Sequence, residues 1–357
     1  MIVYLKTLIA MPFALAFIFP SIAQSAEAPY PVSELRLDFD FSTLRTYGKG
    51  SDQWPMTWGD DGNLYAAWGD GRGWDNSGVK SYLGITALSG DPARLSGSDL
   101  WEDNRKQPNR KPVALVAYDN KLYLFWNPSD PEKWTDIYGA TSHDGKVWSF
   151  GSSPVFKKRE GAIPCGIANF GRGYTGIPHE LDARYVYVYL VDGPKENGEN
   201  LYLARASRQH IFERSAYEYF YGLTRDDKAM WTRNWSDKRA VFRDPNGREY
   251  QCLVDYSPGI KRFMLAKGHD KGALGVFESP TPWGPWKTVY YEQFKDANWK
   301  FTYQFPQKWM SPDGTTMWLG FSGWPEYDSF NVVKATLRGK KASKLPTPPT
   351  GLHLKRQ

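Results

Sequence analysis

Four aspartates lie among tryptophans in one short stretch near the N-terminus. Residues 51–71 read SDQWPMTWGDDGNLYAAWGDG. Asp60 and Asp61 belong to the segment GDDGN, where an Asp-Gly pair supplies the backbone angles of a tight hairpin turn. Asp52 and Asp70 stand where the two flanking strands begin and end. We therefore interpret Asp60 and Asp61 as turn residues, and Asp52 and Asp70 as candidates for chemistry.

Two carboxylates that face one pocket are the groups that glycosidic hydrolysis uses, one as an acid and one as a base or nucleophile. The neighbouring aromatic residues are Trp54, Trp58, Trp68 and Trp74. Their rings would desolvate one carboxyl group and raise its pKa, while the other stays ionised. We expect Asp52 to be the base or nucleophile and Asp70 the proton donor, although these roles could be exchanged. The alternative is that both residues only cap turns and bind loop backbone.

A loose repeat of a hairpin followed by a third strand organises the chain. The hairpin turns fall near residues 61, 119, 182, 258 and 313. These intervals of roughly 55 to 75 residues fit a four-stranded unit with its loops. The pattern predicts an all-β protein, a single-domain five-bladed β-propeller over residues 40–338, closed so that few strand edges are exposed. A β-sandwich or two small β domains would not produce five similar units.

The propeller prediction sorts residues between the two faces of the disc. The start of each innermost strand and the end of the second strand share one face, called here the upper face, and Asp52 and Asp70 both belong to it. Glu180 falls near a turn on the lower face and is set aside. Further upper-face residues that could bind sugar are Asn127, Asp130, Asp192, His269, Trp324, Glu326 and Asp328. Trp54 and Trp74 are added as aromatic walls, although each residue taken alone also fits an ordinary structural role.

The two ends of the chain have compositions of their own. Residues 1–26 contain Lys6 and then an apolar run broken by Pro12 and Pro20, with small residues at the end, as in an export signal. An uncleaved anchor is the alternative. We expect a periplasmic or secreted protein without stable membrane insertion after cleavage. Residues 339–357 predict an extended Pro-rich tail.

Composition limits the partners. The chain is 16% aromatic with 16 Trp, and its net charge is only +6. No recognition-helix, RNP or zinc-finger pattern is present, so we expect a glycan partner and no nucleic acid.

The five His are scattered, and we predict no cofactor and no bound metal, although a cation in a central channel stays open. Cys165 and Cys252 could pair in an oxidising compartment, or both could be buried free thiols. We expect a monomer.

Three segments resemble a known family. SDQWPMTWGDDGNLYAAWGDG, SPGIKRFMLA and ESPTPWGPW are similar to the domain-of-unknown-function family 4185, part of which is classed as glycoside hydrolase family 183, the endo-D-arabinanases. The similarity covers residues 40–338 and is most specific in the first segment. The resemblance implies a five-bladed propeller that acts on α-D-arabinofuranosyl polymers. It also implies that two catalytic aspartates correspond to Asp52 and Asp70.

Three hypotheses for function follow. The first is a secreted glycoside hydrolase that uses Asp52 and Asp70. The second is a non-catalytic glycan-binding propeller, which would keep the aromatic residues without needing an acid pair. The third is a polysaccharide lyase, for which Lys267 and His269 are the available bases.

Hairpin geometry sets a condition on the first hypothesis. A turn centred on Asp61 would place Asp52 directly opposite Asp70, with Cβ atoms about 5 Å apart. A two-residue turn at Asp61-Gly62 would place Asp70 opposite Gln53 and the two acids on opposite faces of the ladder. We expect the carboxylates to splay to roughly 6.5–9.5 Å, the separation of an inverting enzyme.

Overall fold

The computed structural model describes residues 27–104, 109–128, 135–193, 198–247, 251–269, 273–294 and 300–339. The expected signal at 1–26, residues 340–357 of the tail and Asp130 lie outside the described residues. In the described ranges the secondary structure is β-strand with short 3-10 turns and no α-helix. No helix in this part of the chain is long and apolar enough to cross a bilayer.

Strands follow one another along the whole described chain. They are β1 (Arg36–Tyr47), β2 (Asp52–Trp58), β3 (Leu64–Gly71), β4 (Ser81–Ser89), β5 (Ser96–Glu102), β6 (Arg110–Tyr118), β7 (Lys121–Pro128), β8 (Tyr138–Ser142), β9 (Ser149–Phe150), β10 (Ala162–Asn169), β11 (Tyr185–Asp192), β12 (Asn200–Ser207), β13 (Glu218–Leu223), β14 (Ala229–Thr232), β15 (Ala240–Arg243), β16 (Leu253–Ser257), β17 (Arg262–His269), β18 (Ala273–Ser279), β19 (Lys287–Gln293), β20 (Phe301–Gln304), β21 (Thr316–Ser322) and β22 (Phe330–Arg338).

These strands form antiparallel sheets. Three four-stranded sheets have the orders β2-β3-β4-β5, β6-β7-β8-β9 and β1-β22-β21-β20. A ten-stranded sheet runs β14-β13-β12-β11-β10-β16-β17-β18-β19, with β15 beside β12. It consists of two antiparallel runs that join where β10 pairs in parallel with β16 through Ala168↔Val254 and Asn169↔Asp255. Because β1 pairs with β22, the two ends of the chain complete one sheet together.

The innermost strands of the sheets touch one another in sequence: β2 contacts β6, β6 contacts β10, β10 contacts β16, β16 contacts β20, and β20 contacts β2. Side chains bridge several of these neighbours. The Ala117 backbone N–H donates to Thr57 Oγ1 over 3.0 Å. The Gln304 amide accepts from Met56 N at 2.8 Å and donates to Met56 O at 3.0 Å. The contacts close a ring that gathers the starts of the innermost strands on one face.

The interior is formed by strands that are buried on both faces. Every residue of β10 and of β18 is buried, which is the pattern expected of strands covered by neighbouring sheets. A disulfide between Cys165 and Cys252, with Cα atoms 5.4 Å apart, links β10 to the segment before β16. The Cys252 N–H also donates to the Cys165 carbonyl over 2.9 Å. Of the two alternatives that the sequence leaves open, the structure has the disulfide.

Candidate active site

The first hairpin is built around Asp61, as its sequence predicts. The Asp61 carboxylate accepts hydrogen bonds from the Asn63 N–H at 3.0 Å and the Tyr65 hydroxyl at 2.7 Å. Gly62, with φ of +89°, occupies the left-handed region. The strands next to the turn pair as Thr57↔Tyr65, a register centred on Asp61. Asp61 is therefore a structural turn residue.

The register changes before it reaches the two candidate acids. A β-bulge between Gln53 and Met56 shifts the pairing, so that Asp52 lies opposite Gly69. Gln53 and Trp54 each have φ of +74°, and Asp70 has φ of +47°. Left-handed backbone costs energy for residues with side chains, and such strain concentrates at functional sites. Neither predicted register applies here, because the bulge re-aims the start of β2.

Gly69 makes room for the Asp52 carboxylate. A Cβ atom at Gly69 would lie 2.7 Å from Asp52 Oδ1 and 3.4 Å from Lys111 Cδ. A real Cβ atom does not come this close to an oxygen. The two atoms that it would meet belong to Asp52 and Lys111 of the candidate site. Asp52 Oδ1 is buried and has no hydrogen-bond partner. An unpaired buried carboxyl oxygen is costly, and it marks a group held ready for a ligand or a proton.

Lys111 connects the two acids. Its Nζ lies 2.5 Å from Asp70 Oδ2, and its side chain is only 12% exposed, whereas Asp70 is 42% exposed. Lys111 stands at the start of β6 in the next sheet, where it pairs with Asn127. The ammonium therefore faces Asp70 directly and acts electrostatically on Asp52 as well.

The two acids have opposite surroundings. Burial raises the pKa of Asp52 from 3.8 to about 7; Lys111 opposes this rise, and the charges of Asp70 and Asp328 add to it. Asp70 is paired with an ammonium at the mouth of the site. At neutral pH Asp52 can therefore hold a proton next to a second acid that lies beside the Lys111 ammonium, and two acids in different surroundings are what acid–base chemistry at a glycosidic bond requires.

A third carboxylate comes from the far end of the chain. Asp328 lies in the loop before β22, and its backbone carbonyl accepts a 2.6 Å hydrogen bond from Gly50 N, which ties that loop to the start of β2. Burial raises the pKa of Asp328, Lys80 opposes the rise, and Asp70 adds to it. The sequence places Asp328 on the upper face but identifies neither Lys111 nor Lys80. Lys111 stands near the start of the second innermost strand, as Asp52 stands at the start of the first. This shared position is the sequence signal that could have found Lys111.

The two predicted aromatic walls, Trp54 and Trp74, pack against other aromatic rings. Trp54 is 0% exposed; its indole N–H donates to the Ser51 carbonyl at 3.1 Å, and its ring packs on Phe330 at 5.3 Å. The prediction that Trp54 contacts sugar is wrong for this structure, because no part of the ring reaches the surface. Trp74 is partly buried and stacks on Tyr47 with ring centroids 5.1 Å apart, and its contact with sugar stays a prediction.

Other candidates fall near the acids. Trp324 and Glu326 belong to the same loop as Asp328, and Glu326 Oε1 pairs with Lys49 Nζ at 3.2 Å. Asn127, opposite Lys111, donates from Nδ2 to Thr135 Oγ1 at 3.0 Å. Contact between sugar and Trp324, Glu326 or Asn127 stays a prediction.

Asp192 and His269 lie on other sheets. Asp192 ends β11 and pairs with Lys238 at 2.9 Å. His269 ends β17 and stacks on Tyr291 at 4.5 Å. The structure therefore separates these two candidates from the sheet that holds Asp52 and Asp70. Within the described part of the chain, no group of three or more His, Cys, Asp or Glu residues is arranged to hold a metal ion.

The comparisons with known proteins concern the fold. No protein-family profile and no curated protein matches the chain. Among solved structures, a GH43_1 enzyme from Xanthomonas citri matches with a TM-score of 0.50 and 12% identity over 83% of this chain and 91% of that one. An exo-beta-1,3-galactanase from Phanerochaete chrysosporium matches with a TM-score of 0.50 and 11% identity over 81% of this chain and 63% of that one.

Both structural neighbours are propeller glycoside hydrolases. At these identities the likeness concerns the fold alone. The chain has the all-β fold of that class, and the predicted fold class is confirmed at this level. The resemblance to family 4185 stays a prediction.

Proposed function

We propose that the protein is a glycoside hydrolase that cleaves a glycan between Asp52 and Asp70. The observation that supports this most directly is the contrast between the two acids. Asp52 is half-buried with a buried, unpaired Oδ1 and a pKa of about 7, while Asp70 is ion-paired to Lys111. A non-catalytic binding protein has no need of a desolvated carboxyl group with an unpaired buried oxygen next to a second carboxylate. The fold shared with glycoside hydrolases is consistent with this assignment.

The surroundings of the two acids favour the reverse of the roles expected first, in which Asp52 was the base or nucleophile and Asp70 the proton donor. Asp52 is the general acid, since it keeps its proton near neutral pH and can give it to the leaving glycosidic oxygen. Asp70 is the base, with Lys111 positioning its carboxylate. Asp70 then activates water for attack on the anomeric carbon. We expect inversion, because the bulge removes the acids from directly paired positions and so separates them beyond a cross-strand pair.

The finer features of the proposal rest on the sequence and on strand contacts. The five antiparallel sheet units and the ring of innermost strands support a closed five-bladed propeller. The resemblance of residues 40–338 to the endo-D-arabinanases supports α-D-arabinofuranosyl linkages as the substrate, cut within the chain. We also propose an exported, monomeric protein; mass spectrometry of secreted material should show an N-terminus within residues 24–29.

The test is release of reducing ends from a panel of D-arabinan, arabinogalactan and host-type glycans. Asp52→Asn and Asp70→Asn should each reduce turnover by a factor of about 100 or more. Asp60→Asn is the matched control: Asp60 lies at the lower-face turn, where its carboxylate accepts from Asn120 N at 3.0 Å, and turnover should be unchanged.

The outcomes separate the hypotheses. Retention of glycans on immobilised protein without cleavage would support a binding propeller. Ultraviolet-absorbing unsaturated products would indicate a lyase. Full activity in either strand-end variant would remove Asp52 and Asp70 as the catalytic pair.

A further inference from the structure

A cavity of about 860 Å³ lies away from the two acids, over the junction of the second and third sheet units. Its lining residues are Asp136, Lys157, Lys158, Arg159, Glu160, Gly161, Asp192, Gly193, Trp235, Ser236 and Lys238. A volume of this size holds a sugar ring with its substituents.

The cavity opens on the upper face. Gly161 immediately precedes the innermost strand β10, and Asp192 ends β11, where it pairs with Ala162. Asp52 and Lys111 stand at the equivalent ends of β2 and β6. A glycan bound at the acids can therefore extend across this face towards the cavity.

The acidic groups of the lining are already satisfied. Asp192 pairs with Lys238 at 2.9 Å, and both side chains are nearly buried, 12% and 14% exposed. Glu160 pairs with Arg214 at 2.9 Å. The Asp136 carboxylate accepts from a backbone N–H at 2.7 Å. Asp192 and Glu160 are therefore each neutralised by a basic side chain.

The donors of the lining are not all used. The side chains of Lys157 and Arg159 have no ion-pair or hydrogen-bond partner among the described residues. The Trp235 indole N–H likewise has no acceptor in the described part of the chain, and it lies beside Gly161. A Cβ at Gly161 would come within 2.7 Å of Asp192 Oδ1 and 3.3 Å of Trp235 Nε1, so the absence of a side chain keeps this corner open.

We propose that this cavity is a second glycan subsite, which binds a sugar unit that bears an anionic group. The ammonium of Lys157 and the guanidinium of Arg159 neutralise the anion, and Trp235 Nε1 donates to a sugar or anion oxygen. The idea that one glycan reaches from the two acids to this cavity rests on the proposed function. Anion binding by the cavity can be measured independently. The anion is a carboxylate, as in a uronate, or a phosphate.

Calorimetric titration with matched sugars tests the subsite. Trigalacturonate is compared with galactotriose, which differs from it in lacking the carboxylates, and galactose 6-phosphate tests the phosphate arm. The full mature chain should bind an anionic probe at least about tenfold more tightly than galactotriose, the factor that one charge-assisted hydrogen bond supplies. The tighter of the two anionic probes identifies the anion. Affinity should fall as salt rises.

Two variants locate the binding. Lys157→Met with Arg159→Met should lower affinity for the anionic probe about tenfold or more and leave galactotriose binding unchanged. Trp235→Phe, which keeps the ring but removes the N–H, should weaken binding several-fold. Lys146→Met, an exposed lysine in the turn after β8, is the matched control and should bind like the wild type.

Three results would overturn the subsite proposal. They are equal affinity for trigalacturonate and galactotriose, no binding of any probe, and wild-type affinity in the double variant. Hydrolysis is measured separately. Glycan cleavage without anion binding contradicts only this inference, and anion binding without cleavage of any glycan contradicts only the proposed function.

Discussion

Replacing Asp52 by asparagine should make the protein more stable at pH 8 while reducing turnover by a factor of about 100 or more. In the folded protein the pKa of Asp52 is about 7, against 3.8 for the free side chain. Below pH 3.8 both states hold the proton, so folding has no pH-dependent cost. Between these values the unfolded chain releases its proton and the native protein keeps it, so stability falls as pH rises. Above pH 7 the full cost is present.

The magnitude follows from that difference. The rise from 3.8 to about 7 corresponds to about 4 kcal/mol, at about 1.4 kcal/mol for each pKa unit. Asp52 is partly exposed even though its Oδ1 is buried, and solvent screening reduces the value to roughly 2 kcal/mol. Because 1 kcal/mol shifts Tm by roughly 2–4 °C, the gap between Asp52→Asn and the wild type should grow by about 5 °C between pH 4 and pH 8.

Thermal melts of both proteins across this pH range provide the assay. The comparison at pH 4 removes the fixed effect of exchanging an oxygen for an amide. Asp60→Asn, melted in parallel, measures the effect of losing a carboxylate on the lower face. A gap that stays constant or narrows from pH 4 to pH 8 would refute the argument that Asp52 is a desolvated acid.

Three further changes test the site and its frame. Lys111→Met removes the charge that lowers the pKa of Asp52. The alkaline limb of the pH profile of kcat/KM should therefore move to higher pH, and kcat should fall. An alkaline limb at the wild-type pH would contradict this. Gly69→Ala places a Cβ 2.7 Å from Asp52 Oδ1 and should reduce turnover about tenfold or more with the fold retained, as circular dichroism can check. The oxidised protein should have no free thiol at Cys165 or Cys252. Cys252→Ser should lose about 4 kcal/mol of unfolding free energy by denaturant titration, because the bond closes a loop of 87 residues.

Local sequence determines the parts of this protein that depend on neighbouring residues. The Asp61-Gly62 turn follows from the angles these residues adopt, and short alternating runs with regular turns indicate repeated antiparallel units. The position of Asp52 and Asp70 at strand ends follows from the same pattern. Each of these features needs only a few consecutive residues, so it can be predicted without knowing what packs against them.

The tertiary structure decides the environment of the acids. The bulge at Gln53 changes the register by one residue, which side-chain alternation on either side does not reveal. Lys111 and Asp328 reach the site only because neighbouring sheets pack together and the last sheet meets the first. Burial of Trp54 and the raised pKa of Asp52 depend on those same distant contacts. Burial and charge are properties of the assembled ring, so they cannot be predicted from the short segment in which the two acids lie.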